Sequence, residues 1–282
     1  MTDQNPIPMK LQEILSPSFS DQLRRIRAGI AERAARHLII RNTDSVPTAT
    51  GDLVRDHLSA DSLFCKACVA GGYLTREQML LAARRYRLGM ARDGGVIFWQ
   101  IGLQGQVFDG KVMYYRADCH RDHHRPPTWV SAELKRFYLS GEPQLAFALT
   151  WPHCLFGTHL LSGSGARTVA VVEAEKTAFI MSGRYPSVLW LAAGGISELT
   201  PQKLFPLRGR KVILFPDTDP DGEAYRLWYA VARRAERLLG QPLYVSALLE
   251  QRATPAQKAR KIDIADLVHE SECLGAGTGI TP

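Results

Sequence analysis

Short apolar segments alternate with helical segments in the C-terminal part of the chain. Runs of largely apolar residues predict four β-strands, at 168–173, 187–193, 211–217 and 242–249. Between these strands, the spacing of apolar residues predicts helices at 176–182 and 221–239. Strands that are apolar throughout and alternate with helices are typical of a parallel sheet covered on both faces. We therefore expect an α/β domain with such a sheet over residues 167–270.

The pattern before residue 163 is different. Apolar residues recur at helical spacing in 53–70 and 75–88, whereas 95–103 and 106–115 are typical of two strands joined at Gln104-Gly105. The two strands predict an antiparallel β-hairpin within a smaller α+β domain. The predicted organisation is a basic, partly helical segment at 1–45, the α+β domain at 46–162, the parallel-sheet domain at 167–270 and a flexible tail at 271–282.

The composition is that of a globular cytoplasmic protein. Of the 282 residues, 45% are hydrophobic and 22% are charged, and no apolar run reaches the roughly 18 residues that a membrane-spanning helix needs. The first residues lack the basic and apolar regions of a secretion signal. Five cysteines at irregular spacing form a poor disulfide framework, which favours a reducing compartment. A net charge of +7 suits a partner rich in phosphate.

Acidic residues end two of the predicted strands. Glu173 ends the first strand and Asp217 ends the third, and Asp219 and Asp221 follow in the sequence DTDPDG. Because parallel strands present their carboxyl ends at one edge of a sheet, we expect these side chains to lie close together. Carboxylates at short separations repel one another, and a divalent cation such as Mg²⁺, which prefers oxygen ligands, relieves that repulsion. The sequence therefore favours metal-assisted phosphoryl transfer.

A purely local interpretation of DTDPDG is also open. Asp and Gly are common in turns and at the beginnings of helices, so the three aspartates could simply form a turn and cap the next helix. An EF-hand is the other standard interpretation of this spacing. It is excluded because Trp228 occupies the twelfth position of the loop, where a glutamate is needed, and because a predicted strand precedes the loop.

Three segments, in this order, resemble the toprim family, which includes primases, topoisomerases and some nucleases. They are VAVVEAEKTA at 169–178, LAAGG at 191–195 and ILFPDTDPDG at 213–222. The first segment and DIADL at 263–267 are most similar to primase-type members of phages and mobile elements. The resemblance covers about 167–270 and implies a Rossmann-like toprim sheet. Segments within 95–160 also resemble toprim proteins carried by mobile elements of Bacteroides-type bacteria.

The resemblance implies a role for each acidic residue at the strand ends. Glu173 would act as a general acid or base and as a metal ligand. Asp217 and Asp219 would form the pair that binds Mg²⁺ or Mn²⁺, and Asp221 would be a further ligand or a helix cap. A catalytic carboxylate and a metal pair on neighbouring strands would together serve a reaction on a phosphate ester or anhydride.

Other positions of the resembling segments have two interpretations each. Lys176 would contact a phosphate or a reacting nucleotide, or it is an ordinary surface lysine. Gly194 and Gly195 would allow a phosphate to approach the backbone closely, or they only form the turn that ends a strand. Asp263 and Asp266 either flank the same site or cap the last helix.

Primase-like nucleotidyl transfer on single-stranded DNA is the leading hypothesis for function. Nucleoside triphosphates would be the substrates, and a helicase or mobilisation protein would be a further partner. A toprim nuclease that uses the same carboxylates for hydrolysis is the first alternative. The second is a non-catalytic DNA-binding or partner-binding accessory protein of a mobile element, because a fold does not fix a function.

Two features outside these segments also have a structural and a functional interpretation. Cys65 and Cys68 have the spacing of zinc ligands, but their apolar helical surroundings favour two core cysteines. Four aromatic residues of the predicted hairpin could stack on bases, although alternating hairpin residues more often face a core. They are Phe98, Trp99, Tyr114 and Tyr115.

Overall fold

The computed structural model describes residues 51–105, 107–132, 153–165 and 168–276. The segment predicted at 1–45 lies outside these ranges, and so do residues 277–282 of the predicted tail. None of the helices in the described ranges is both long and apolar enough to cross a membrane.

The helices and strands alternate in the order that their hydrophobic patterns predict. The α-helices are α1 (Gly51–Asp56), α2 (Leu63–Ala70), α3 (Arg76–Tyr86), α4 (Glu175–Arg184), α5 (Pro201–Leu204), α6 (Glu223–Leu239), α7 (Leu248–Arg252), α8 (Pro255–Ala259) and α9 (Ile264–Ala276). The β-strands are β1 (Gly89–Met90), β2 (Val96–Ile101), β3 (Val107–Met113), β4 (Thr128–Trp129), β5 (Thr168–Val172), β6 (Leu189–Ala192), β7 (Lys211–Phe215) and β8 (Tyr244–Val245). Short 3₁₀ helices cover Thr158–Leu161 and Phe205–Leu207.

The first sheet is antiparallel, with the strand order β1-β2-β3-β4. β2 and β3 form the predicted hairpin, in which Val96 pairs with Met113, so this prediction is confirmed. β2 is buried along its whole length because both of its faces pack against apolar side chains. Trp99 lies over Gly110 of β3, where an added Cβ atom would come within 2.7 Å of the indole ring. Glycine at that position therefore allows the tryptophan to be buried.

The second sheet is parallel throughout, with the strand order β6-β5-β7-β8. Val172 of β5 faces one side of the sheet, where it packs with Phe179 of α4 and Ile264 of α9. Val171 faces the other side, where it packs with Trp228 of α6. The prediction of a parallel sheet with helices on both faces is therefore confirmed.

A continuous apolar interior joins the two sheets. The ring of Phe64, on α2, lies 5.5 Å from that of Phe98 in the antiparallel sheet and 5.3 Å from that of Phe179 on α4. The hydroxyl group of Tyr86, on α3, donates a 2.6 Å hydrogen bond to the carbonyl of Trp190 in β6. The helices α2 and α3 are thus packed between the antiparallel sheet and the parallel sheet.

The helix predicted at 53–70 is divided into two. α1 ends at Asp56 and α2 begins at Leu63. Ser62 explains the second beginning, because its hydroxyl oxygen accepts a 3.3 Å hydrogen bond from the backbone N–H of Cys65 and so caps α2. Helical spacing of apolar residues continues through the break, so the pattern alone does not reveal it.

Two other predicted elements differ in length at their ends. The strand predicted at 242–249 is reduced to β8, which pairs with β7 at two positions before the chain enters α7 at Leu248. α9 continues to Ala276, past the predicted beginning of a flexible tail at 271.

Candidate functional site

Two acidic residues follow adjacent strands of the parallel sheet. Glu173 comes directly after β5, and Asp217 comes two residues after β7. These strands are hydrogen-bonded to each other in parallel, with Val172 opposite Phe215. The adjacency on which the predicted carboxylate cluster depends is therefore present, and both residues leave the sheet at the same edge.

Burial and repulsion disfavour ionisation of both carboxyl groups. Burial, reinforced by the charge of Asp263, raises the pKa of Glu173 to about 7. The ammonium groups of Lys111 and Lys261 oppose this shift without cancelling it. At Asp217, burial and then the charge of Glu173 raise the pKa well above its usual range. The two groups therefore share the edge of the sheet as a pair that resists carrying two negative charges.

Asp217 also has an unused acceptor atom. Its Oδ1 is buried and has no hydrogen-bond partner among the residues that the structure describes. Within those residues, no three or more His, Cys, Asp and Glu side chains are already arranged around a metal position. The donor set nevertheless suits a divalent cation, which would bind the unpaired oxygen and offset the repulsion between Asp217 and Glu173.

Lys176, on the first turn of α4, is buried between two aspartates at the beginning of α9. Its ammonium lies 3.2 Å from Oδ2 of Asp263 and 3.3 Å from Oδ1 of Asp266. Burial disfavours its charged form, but the two aspartates outweigh burial and raise the pKa of Lys176 well above its usual value. The interpretation of Lys176 as a surface lysine is therefore wrong, and its predicted contact with phosphate stays a prediction.

Asp263 and Asp266 lie at the beginning of α9 and beside Lys176. Asp263 Oδ1 accepts a 2.9 Å hydrogen bond from the backbone N–H of Asp266, which caps α9. Burial would raise the pKa of Asp263, but Lys176 and a 2.6 Å hydrogen bond donated by the Thr177 hydroxyl hold it below its usual value. The resulting negative charge contributes to the raised pKa of Glu173.

Asp219 is turned towards α6. Its Oδ1 accepts hydrogen bonds from the backbone N–H groups of Asp221 and Glu223, at 2.9 and 3.0 Å, and its Oδ2 accepts one from Ala224 at 2.9 Å. Burial opposes these bonds, but they lower the pKa of Asp219. The helix cap that was one interpretation of Asp221 is supplied by Asp219, and Asp221 is exposed. Asp219 differs from Asp217 in that both of its carboxylate oxygens already have hydrogen-bond partners.

Lys111 of the antiparallel sheet reaches the same edge, a position that no sequence pattern predicts. Its Nζ donates a 2.7 Å hydrogen bond to the carbonyl of Gly194 and lies 3.2 Å from Oε2 of the buried Glu175. The backbone N–H of Gly194 in turn bonds to the carbonyl of Glu173 at 2.9 Å. Gly194 has φ +99°, a left-handed conformation that favours glycine. Gly195 follows it at φ +157°, and the predicted phosphate contact of both glycines stays a prediction.

Asp109, on the strand that carries Lys111, is a buried carboxylate that no sequence pattern predicts as part of a site. Asp109 accepts hydrogen bonds from the backbone N–H groups of Gly110 and Ser131, at 2.7 and 3.0 Å, and from the Ser131 hydroxyl at 2.5 Å. His153 Nε2 is 3.3 Å from the same carboxylate, and its ring stacks on Trp129. This network fixes the orientation of a half-buried histidine.

Three of the four hairpin aromatics, and the two cysteines with zinc-ligand spacing, belong to the core. Phe98, Trp99 and Tyr115 are almost fully buried, so the core interpretation is confirmed for these three residues. Cys65 and Cys68 are also fully buried in the apolar cluster between the sheets. Burial raises the pKa of the Cys65 thiol to about 11, so it resists forming the thiolate that binds metals.

Fold and site together define a mixed α/β protein with an antiparallel sheet, a parallel sheet and an acidic cluster at one edge of the latter. Residues 70–218, more than half of the chain, match the family described as "Domain of unknown function (DUF6371)", and the chain belongs to this family. The matched range contains Lys111, Glu173, Lys176 and Asp217 but ends before α9.

One solved structure similar to this chain is the primase fragment of the bacteriophage T7 primase-helicase protein. The TM-score is 0.40 and the sequence identity is 18%, over 72% of this chain and 69% of that chain. A search of curated proteins gives no significant match.

Proposed function

We propose that the chain is a metal-dependent enzyme of nucleic-acid synthesis that carries out primase-like nucleotidyl transfer on single-stranded DNA. The observation that carries the proposal is the carboxyl pair of Glu173 and Asp217 at the ends of adjacent strands. Burial and the charge of Glu173 disfavour ionisation of Asp217, and its buried Oδ1 has no partner in the described part of the chain. Such a pair is expensive in an empty site and favourable around a divalent cation.

Glu173 would handle the proton of the reaction. As a carboxylate at this edge of the sheet, it would accept a proton from an attacking hydroxyl group and release it again. Mg²⁺ or Mn²⁺, held by Glu173 and Asp217 with Asp219 as a further predicted ligand, would supply charge stabilisation for the transferred phosphoryl group.

The cationic residues would keep the acidic pair in place. Lys176 neutralises Asp263 and Asp266 from within, which limits the total negative charge behind Glu173. Lys111 fixes the loop at Gly194, whose backbone holds that of Glu173. A nucleotide phosphate and the template would then approach from the open side of the sheet edge, in keeping with the general position of ligands in open parallel sheets.

A primer-synthesis assay tests this function. The full chain is incubated with single-stranded DNA, all ribonucleoside and deoxyribonucleoside triphosphates, and Mg²⁺ or Mn²⁺. We expect labelled oligonucleotides that require template and metal, and a loss on the order of 100-fold in Asp217→Asn, by analogy with removal of one transition-state contact. Asp118→Asn, which changes an exposed loop carboxylate, is the matched control and should keep full activity.

Two results would overturn the proposal. Cleavage of DNA without nucleotides, lost in Asp217→Asn, would assign a nuclease instead. If the chain shows no synthesis and no cleavage under any of these conditions, it would instead be a non-catalytic accessory protein.

A further inference from the structure

The outward face of α6 carries a row of arginines. Arg226, Arg233 and Arg237 are exposed and follow one another at spacings of seven and four residues, which places them on one side of the helix. The buried stripe of α6, which includes Trp228 and Ala235, lies on the opposite side. The helix holds four arginines and two glutamates. This row therefore forms a basic ridge that points away from the protein.

Aromatic rings border the basic ridge on one side. Tyr225 and Tyr229 are one helical turn apart and stack with ring centroids 6.1 Å apart. The guanidinium group of Arg233 lies 4.9 Å from the centre of the Tyr229 ring, and the Tyr229 side chain is 46% exposed. A half-buried ring, that of Tyr225, and an exposed ring, that of Tyr229, thus lie next to cations along this flank of the helix.

The same pattern of cations and rings continues onto β8, the outer strand of the parallel sheet next to β7. Arg233 donates a 2.8 Å hydrogen bond to the carbonyl of Leu243, immediately before β8. Tyr244, the first residue of β8, is 55% exposed, and the ammonium of Lys211 lies 6.0 Å from its ring. A connected surface therefore runs from the beginning of α6, beside Asp219 and Asp221, to the outer strand β8.

We propose that this surface, the α6 ridge with the rings of Tyr225, Tyr229 and Tyr244, is a binding track for single-stranded nucleic acid. The arginines would neutralise phosphates, and the tyrosine rings would stack on bases. Single strands fit better than duplexes, because a duplex buries its base faces and offers no ring for the tyrosines to stack on. The idea that the track leads a strand towards the acidic site rests on the proposed function. Binding of a single strand to the track does not depend on that function.

The tyrosines of the track are better placed to stack on bases than the aromatic residues of the hairpin. The aromatic residues of the hairpin are unsuitable, because Phe98 and Trp99 lie in the core. Tyr229 and Tyr244 are about half exposed and each lies beside a cation. Both features are those of platforms that bind single strands without regard to base sequence.

Fluorescence anisotropy with an oligothymidylate of about 15 nucleotides tests the track. The full chain is titrated in EDTA, so that neither metal nor catalysis contributes, and the affinity is measured at several salt concentrations. We expect Tyr229→Ala to weaken binding by about tenfold and Tyr229→Phe to restore it. Arg226→Ala combined with Arg237→Ala should lower the slope of log affinity against log salt by about 1.4, since each phosphate contact contributes about 0.7.

Matched controls remove the same charge and the same kind of ring elsewhere. Arg76→Ala combined with Arg84→Ala changes two exposed arginines of α3, and Tyr185→Ala changes an exposed ring after α4. Both controls should bind like the wild type, and all variants should melt at the wild-type temperature because the changed side chains lie on the surface.

The proposal is overturned if the wild type shows no binding at low salt, or if the α6 variants bind no worse than the controls. Equal binding of a duplex of the same length, unaffected by Tyr229→Ala, would also overturn it, because phosphate attraction would then suffice. Binding of oligothymidylate in EDTA by a wild-type chain that makes no primer with metal and nucleotides would refute the proposed function and leave the track intact.

Discussion

At the scale of single residues, the main feature is a carboxyl group that the fold keeps partly protonated near neutral pH. Glu173 is held in this state by burial and by the charge of Asp263. In the unfolded chain the same group titrates near 4.5, so the folded protein holds on to this proton over a wider pH range. The raised pKa of Glu173 thereby reduces the stability of the fold at neutral pH.

Glu173→Gln should therefore raise the melting temperature at pH 8 in EDTA and leave it unchanged at pH 4. The contribution of Glu173 to stability is fully present below about pH 4.5 and is lost as the pH rises to about 7. Gln does not ionise and escapes this loss, which is on the order of 3 kcal/mol, or roughly 6–12 °C. Melting followed by circular dichroism across this pH range measures the effect.

Glu77→Gln on the exposed first turn of α3 is the control, and it should change the melting temperature little at either pH. An equal gain for Glu173→Gln at both pH values would show that the carboxyl group is not the cause.

Sequence alone predicts the residues whose positions follow from strand ends. Glu173 and Asp217 could be placed together because parallel strands end at a common edge, and Lys176 because it follows Glu173 within one helical turn. Lys111 could not be placed, because its contact with Gly194 depends on how the two sheets pack against each other. No periodicity within β3 carries that information.

At the scale of elements, hydrophobic patterns predict which segments fold but not where each one stops. The strands β5 and β7 have neighbours on both sides, and β6, although an edge strand, is fully buried and pairs with β5 at four positions. β8 is shorter than its apolar run, because it pairs with β7 at two positions only before the chain enters α7. The break between α1 and α2 depends on the capping hydroxyl of Ser62, a single polar atom that the apolar spacing conceals.

The connection from β3 to the edge of the parallel sheet can be tested by Lys111→Met. The ammonium of Lys111 lowers the pKa of Glu173, so its removal should move that pKa upward from about 7. It also leaves the buried Glu175 without its ion-pair partner, a change that typically costs about 3–5 kcal/mol. Carbon-13 NMR of labelled glutamate carboxyl groups follows the titration, and urea unfolding measures the stability.

Lys111→Arg keeps the charge and should stay close to the wild type in both measurements. Lys66→Met, on the exposed side of α2, removes an equal charge at a distance and should alter neither. An unchanged Glu173 titration in Lys111→Met would contradict the connection.

At the scale of the whole molecule, an acidic cluster is embedded in a protein whose net charge is +7. The basic surface is suited to attract a polyanion, and the cluster is suited to hold a cation against it. These two tendencies are compatible because they occupy separate places, the outward face of α6 and the carboxyl edge of the sheet. The overall charge thus says little about the local chemistry of the site.

Mg²⁺ should stabilise the folded wild type at pH 8, because a cation that binds only the folded state shifts the equilibrium towards it. At a concentration about 100 times the dissociation constant, the gain is about 2.7 kcal/mol, or roughly 5–10 °C. Differential scanning calorimetry in Mg²⁺ and in EDTA, at matched ionic strength, measures it. Asp217→Asn should lose most of this gain. A gain of the same size in that variant would show that the ion binds elsewhere.

The rings that connect the two sheets also limit how the protein can be divided. A fragment starting at residue 168 would keep every strand of the parallel sheet but would strip Phe179 of its neighbours Phe64 and Tyr86. Newly exposed aromatic surface of this kind promotes aggregation. The N-terminal half would lose its own covering in the same way. We therefore expect neither sheet to fold well as a separate fragment, and any gene rearrangement that keeps one sheet to keep the other.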